Sequence, residues 1–148
     1  MSIQGWYYLH TNGELIFKPN PDAACDIRDS DFARHLWPMD PSNREGAWNI
    51  LVEAHALGAH QARIDDLAAK WGCDDADADN YAQRVGVTIQ RDGDAWCATG
   101  PGFQDIQASP VGFGETKLEA MANLARALGM SAGKMWAPTF RDLLKKAA

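Results

Sequence analysis

The sequence predicts an α+β fold: a small antiparallel sheet made of an N-terminal hairpin and a meander over residues 87–108, with a three-helix insertion and a C-terminal helix packed on the sheet. Three observations lead there. Asn12-Gly13 lies between runs of aromatic and β-branched residues, the strongest local hairpin signal. Residues 40–86 carry apolar positions at helical spacing, punctuated by Gly58, Gly72 and Gly86. Residues 91–128 then present a turn, strand-like runs, a helix cap and a glycine stop, in the order of a folding unit. A chain of 148 residues is about one domain's worth. It is therefore read as one α+β domain, 1–148, with a helical subregion over 40–86 and a ββα unit over 87–129.

The hairpin comes first: Trp6 to His10 and Glu14 to Lys18 flank Thr11-Asn12-Gly13. Pro19-Asn20-Pro21 ends it, the polar run from Asp22 to Asp31 reads as a loop, and a short helix is expected around Phe32 to Trp37. The first long helix starts at Asp40 before Pro41, or at Ser42 with Glu45 completing a capping box. Its stripe is Trp48, Leu51, Val52 and His55, with Ala47, Ile50, Ala54 and Leu57 beside it, and Gly58 ends it. A second helix over 61–71 buries Ile64, Leu67, Ala68 and Trp71 and stops at Gly72. A third over 75–85 buries Ala78, Tyr81, Ala82 and Val85 and stops at Gly86. Val87 to Gln90 and Ala95 to Ala98 make a second hairpin around Asp92-Gly93, and Phe103 to Ala108 is the expected third strand. Gly112-Phe113-Gly114 then reads as a tight strand-to-helix turn. Thr116 caps the next helix, with Glu119 three residues on, and Leu118, Met121, Leu124 and Leu128 recur along it until Gly129. Thr139 to Asp142 forms another capping box before a terminal helix through Leu143 and Leu144.

Composition narrows the function classes. With 46% hydrophobic and 23% charged residues the chain is globular, not disordered. No apolar run approaches the roughly 20 residues needed to cross a bilayer. Three widely spaced cysteines, Cys25, Cys73 and Cys97, form no Cys-x-x-Cys pair and follow no secretory leader. They read as reduced thiols in the cytoplasm of a bacterial cell or phage-infected host. A net charge of −6 argues against a general affinity for nucleic acid, which requires clustered cations. The charge is uneven: residues 1–116 carry −10 and residues 117–148 carry +4. Lys134, Arg141, Lys145 and Lys146 supply most of that basic end, which reads as a solvated helix face.

Residues 64–85 match the spacing of a helix-turn-helix, with Leu67-Ala68, then Gly72, then Ala78 and Tyr81, and the following hairpin sits where a wing would. The would-be recognition helix presents Asp74, Asp75, Asp77 and Asp79, which would repel DNA. The pair is therefore a structural hairpin or an acidic face for a basic protein partner. Asp75, Asp77 and Asp79 also occupy the first, third and fifth positions of a calcium loop, but Asn80 replaces the turn glycine and Gly86 the closing glutamate. His10, His35, His55 and His60 have no metal-ligand spacing to one another or to a cysteine, so neither metal nor cofactor is expected. Cys97 beside Trp96 reads as a buried thiol rather than a nucleophile. Of six tryptophans, Trp37 and Trp136, each near a proline in irregular sequence, are the ones expected to be partly exposed, where they could serve a partner.

The segment from Asp92 to Leu128 resembles the HicB-type antitoxin core. The resemblance rests on the Asp92-Gly93 turn, the strand Ala95-Trp96-Cys97-Ala98 and the helix entrance Gly114-Glu115-Thr116-Lys117-Leu118-Glu119-Ala120. It implies pairing with a small RNA-cleaving toxin. The whole chain is also similar to small accessory proteins encoded by bacteriophages and prophages of proteobacteria. That likeness runs through Trp37-Pro38-x-Asp40-Pro41, Leu51-Val52-Glu53-Ala54, Ala68-Ala69-Lys70-Trp71-Gly72 and Ser109-Pro110-x-Gly112-Phe113-Gly114. It implies a non-enzymatic protein that binds a host or phage protein, with inhibition of a host defence complex through its acidic surface. The candidate contacts are Asp74, Asp75, Asp77, Asp79, Trp37 and Trp136. The alternative is a nucleic-acid-associated regulator or antitoxin, HicB-like or winged-helix-like, that uses the basic C-terminal residues.

Overall fold

The computed structural model describes residues 4–22, 33–40, 43–105, 107, 109–131 and 138–147. The Asn12-Gly13 turn closes a hairpin of β1 (Gly5–His10) and β2 (Leu15–Lys18), with Tyr7 opposite Phe17 and Leu9 opposite Leu15. The alternation of β1 puts Gly5, Tyr7 and Leu9 on the buried face. Across the other edge of β1 lies β3 (Ala33–Met39), antiparallel, with Trp37 opposite Tyr7 and His35 opposite Leu9. A short helix was the sequence expectation here; its first residue, Phe32, lies outside the described residues, and 33–37 are strand. The open hydrogen-bonding edge of β1 decides the matter, because pairing satisfies a row of backbone groups that a single helical turn would leave exposed.

Three helices follow: α1 (Arg44–Ala56), α2 (Gln61–Trp71) and α3 (Asp75–Val85). Asn43 caps α1, its Oδ1 accepting from the Gly46 amide at 2.9 Å. The cap is thus neither Asp40 nor Ser42; Pro41 and Ser42 lie outside the described residues. Asn43 is the residue whose short acceptor reaches the third helical amide. Helix α1 is buried on almost every side, including Trp48, Ile50, Leu51, Val52, Glu53 and Ala54, as befits the central helix. Gly72 and Gly86 end α2 and α3 in left-handed conformation.

The chain then forms β4 (Thr88–Asp92), β5 (Ala95–Thr99) and β6 (Val111–Gly114), an antiparallel meander ordered β4-β5-β6, separate from the β2-β1-β3 sheet. The third strand therefore lies at 111–114 and not at 103–108, where the described residues are irregular. Gly112-Phe113-Gly114, expected as a turn, is the strand itself. The reason is visible in α4 (Lys117–Ala127), which crosses it closely. A Cβ on Gly112 would stand 2.2 Å from the Ala120 oxygen and the Leu124 nitrogen, and one on Gly114 2.6 Å from the Ala120 nitrogen. Only a strand without side chains on that face admits the helix.

Thr116 caps α4 as predicted, its hydroxyl accepting from the Glu119 amide at 3.1 Å. Helix α5 (Phe140–Ala147) begins with a closed box: the Asp142 amide donates to the Thr139 hydroxyl at 3.1 Å and the Thr139 amide to the Asp142 carboxylate at 3.3 Å. One apolar cluster joins Tyr7, Leu9 and Trp37 of the first sheet to α1, to Met121 and Leu124 of α4, and to Phe140 and Leu144 of α5. Helix α1 packs on β3, α2, α3 and α4, and α4 packs on β5 and β6. The α+β class is as the sequence predicts, with helices packed on antiparallel sheets.

Candidate contact surfaces and the buried carboxylate

The four aspartates of α3 have different fates. Asp74 is the N-cap, its Oδ1 accepting from the Asp77 amide at 2.9 Å. Asp77 turns inward: its Oδ2 accepts from Trp48 Nε1 at 2.7 Å and from Arg44 Nε at 2.8 Å. The Trp48 hydrogen bond and the Arg44 guanidinium, outweighing partial burial, hold its pKa below the ordinary carboxylate value. Arg44 also donates to the carbonyls of Trp71 and Gly72 at the end of α2. Asp77 is thereby a joint between α1, α2 and α3. Asp79 pairs with Lys117 Nζ at 3.0 Å, yet its side chain remains 60% exposed. The same ammonium donates to the Asp75 carbonyl at 3.2 Å and stands 4.7 Å above the Trp96 ring. Asp74, Asp75 and Asp79 are exposed, beside the start of α4.

Trp37, expected at the surface, is 4% exposed. Its indole faces the core because β3 alternates on the buried side of the first sheet, and Nε1 donates to Glu53 Oε1 at 3.0 Å. It is a structural residue. Trp136 lies outside the described residues.

Glu53 is the residue that sequence reasoning passed over. A carboxylate 1% exposed, it accepts from Trp37 on β3 through one oxygen and from the Phe140 amide at the start of α5, at 3.1 Å, through the other. Burial pushes its pKa up, against those two hydrogen bonds, and the nearby Asp142 charge adds to the rise. His35 Nε2 stands 3.6 Å from Oε1, and burial lowers the His35 pKa to about 4, so this imidazole is neutral near pH 7. The sequence did carry a signal. Glu53 interrupts the apolar run Leu51-Val52-Glu53-Ala54.

Among the described residues, α4 packs on one face of the second sheet. Residues 89, 96, 98, 112 and 114 share the face that packs on α4, while Thr88, Gln90, Cys97, Thr99 and Phe113 share the other. Residues of that outer face, with residues 100–105 and 107, line an open groove of about 1070 Å³. Burial raises the Cys97 thiol pKa, aided by the Asp92 charge, so it is protonated at neutral pH and a weak nucleophile. Cys73 is likewise raised by burial.

Among the described residues, no group of three or more His, Cys, Asp or Glu is placed to hold a metal ion. No described helix is long and apolar enough to cross a membrane. No protein-family model, curated protein or solved structure matches the chain.

Proposed function

We propose that the protein is a non-catalytic phage or prophage accessory protein that acts by binding a protein partner. In this reading Asp74, Asp75 and Asp79 present carboxylates to a cationic surface, such as the nucleic-acid groove of a host defence complex. The observation that carries it is the exposure of these three at the start of α3. Asp77, which the sequence grouped with them, is removed from the contact by its bonds to Trp48 and Arg44.

The competing reading, a nucleic-acid-associated regulator, rests on the basic C-terminal end. There Arg141 pairs with Glu45 at 3.1 Å and Lys145 and Lys146 are exposed. Capture from host lysate on the tagged protein, with mass spectrometry, supplies the partner for the test. The triple variant D74K/D75K/D79K should weaken its binding on the order of tenfold or more and remove most of the salt dependence, given about 0.5 kcal/mol per exposed pair and added repulsion. Unchanged binding would remove α3 from the contact. Retardation of nucleic acid at moderate salt would favour the regulator instead.

A further inference from the structure

We propose that the outer edge of β4 is a self-association surface, where β4 of a second copy adds antiparallel about a two-fold axis at Gln90 and joins the two β4-β5-β6 sheets into one. The hydrogen-bond phase of the sheet defines this edge. Gly93-Asp94 is a two-residue turn with Gly93 at φ +62°, so the opposed residues Asp92 and Ala95 form a hydrogen-bonded pair. By alternation Thr88 and Gln90 bond to β5, and the amides and carbonyls of Ile89 and Arg91 point away from it. Among the described residues no backbone group pairs with them. Thr88, Gln90, Arg91 and Asp92 are exposed, and Ile89 is half-buried. The other sheet edges carry guards: β3 contains Pro38, β2 ends in Lys18, and on β6 the Phe113 carbonyl accepts from the Asn123 side chain. β4 has no Pro, no Lys and no register shift, so its edge is a regular template for another strand.

Register and charge select a second copy as the occupant. With the axis at Gln90, Ile89 faces Arg91 of the second copy and exchanges main-chain hydrogen bonds with it. Thr88 faces Asp92, a hydroxyl donor opposite a carboxylate, and the two Gln90 amides meet at the axis. Arg91 keeps its place 5.0 Å over the Trp96 ring, and its charge meets no like charge across the pair. The segment is thus complementary to itself in this register. Moving the axis to Arg91 would oppose two guanidinium groups and is disfavoured.

A short strand pair makes a small interface, so a dissociation constant on the order of 100 μM is expected. The test is sedimentation of the full chain from about 10 μM to about 1 mM, in about 0.3 M salt to screen the net charge of −6. The weight-average mass should rise toward that of a dimer. Q90K alone and Q90E alone, which place like charges at the axis, should each weaken association at least tenfold, and an equimolar mixture of the two should restore it. Gln90 is exposed, so both variants should melt as the parent does. Amide exchange of the parent supplies a second reading: Ile89 and Arg91 should gain protection with concentration, whereas Gln90, already bonded to β5, should not. A monomer at 1 mM, a dimer indifferent to Q90K and Q90E, a mixture no better than either variant, or protection that leaves Ile89 and Arg91 unchanged would each overturn the proposal.

Discussion

Replacing His35 with phenylalanine should flatten the acid sensitivity of this fold. In the unfolded chain the imidazole titrates near its ordinary value of 6.5, whereas in the fold its pKa is about 4. The folded state therefore binds fewer protons between these values. The His35 contribution is fully present above pH 6.5 and is lost as pH falls toward 4. The difference of about 2.5 pKa units corresponds to roughly 3 kcal/mol, at about 1.4 kcal/mol per unit. Glu53, 3.6 Å away, acts with the opposite sign. Its folded pKa is raised, so its contribution is present below its unfolded value of 4.5 and is lost as pH rises through the folded one. The net profile is the difference of the two, and single variants separate them. Phenylalanine preserves the ring that His35 sets against Trp37 at 4.6 Å. Urea unfolding at pH 7, 6, 5 and 4, followed by tryptophan fluorescence, should show H35F losing about 3 kcal/mol less than the parent across that range. Equal losses in both proteins would refute the account.

Two further substitutions test the packing. Gly112→Ala places a methyl 2.2 Å from backbone atoms of α4, which cannot rotate away, and should cost about 3 kcal/mol or more in thermal or chemical unfolding. A normal melting temperature would mean that α4 does not sit as described. Phe140→Ala empties the deepest anchor of α5, 0% exposed, and should cost about 3–5 kcal/mol if the helix unfolds with the rest of the chain. Hydrogen exchange should show the amides of 140–147 losing protection; protection at parental levels would refute the docking of α5 on the core.

Legibility followed the range of the signal. The bounds of α2 and α3 are those read from the sequence, because their stops, Gly72 and Gly86, and their apolar stripes lie within the helices or just beyond them. The Thr116 and Thr139 caps were legible for the same reason: a capping box is complete within four residues. By contrast, Ala33 to Met39 has no decisive period of its own, and its strand state comes from β1, more than twenty residues earlier. Gly112 and Gly114 look like breakers until α4 is laid across them. The candidate contacts divide in the same way. The acidity of α3 is visible in Asp74, Asp75, Asp77 and Asp79, but the withdrawal of Asp77 depends on Arg44 and Trp48, about thirty positions away.

Alone, the sequence determined the α+β class, the two hairpins, helices α1 to α5, the caps at Asp74, Thr116 and Thr139, and the acidic character of α3, since each arises from hydrogen bonds and periodicities that neighbouring residues complete. Only the tertiary structure decided that Trp37 is interior, that Glu53 is a buried carboxylate holding β3 and α5 to α1, and that the glycines of β6 lie directly under α4. Those outcomes are set by which remote surfaces meet. Burial, desolvation and charge pairing belong to the assembled core, and no local run of residues specifies them.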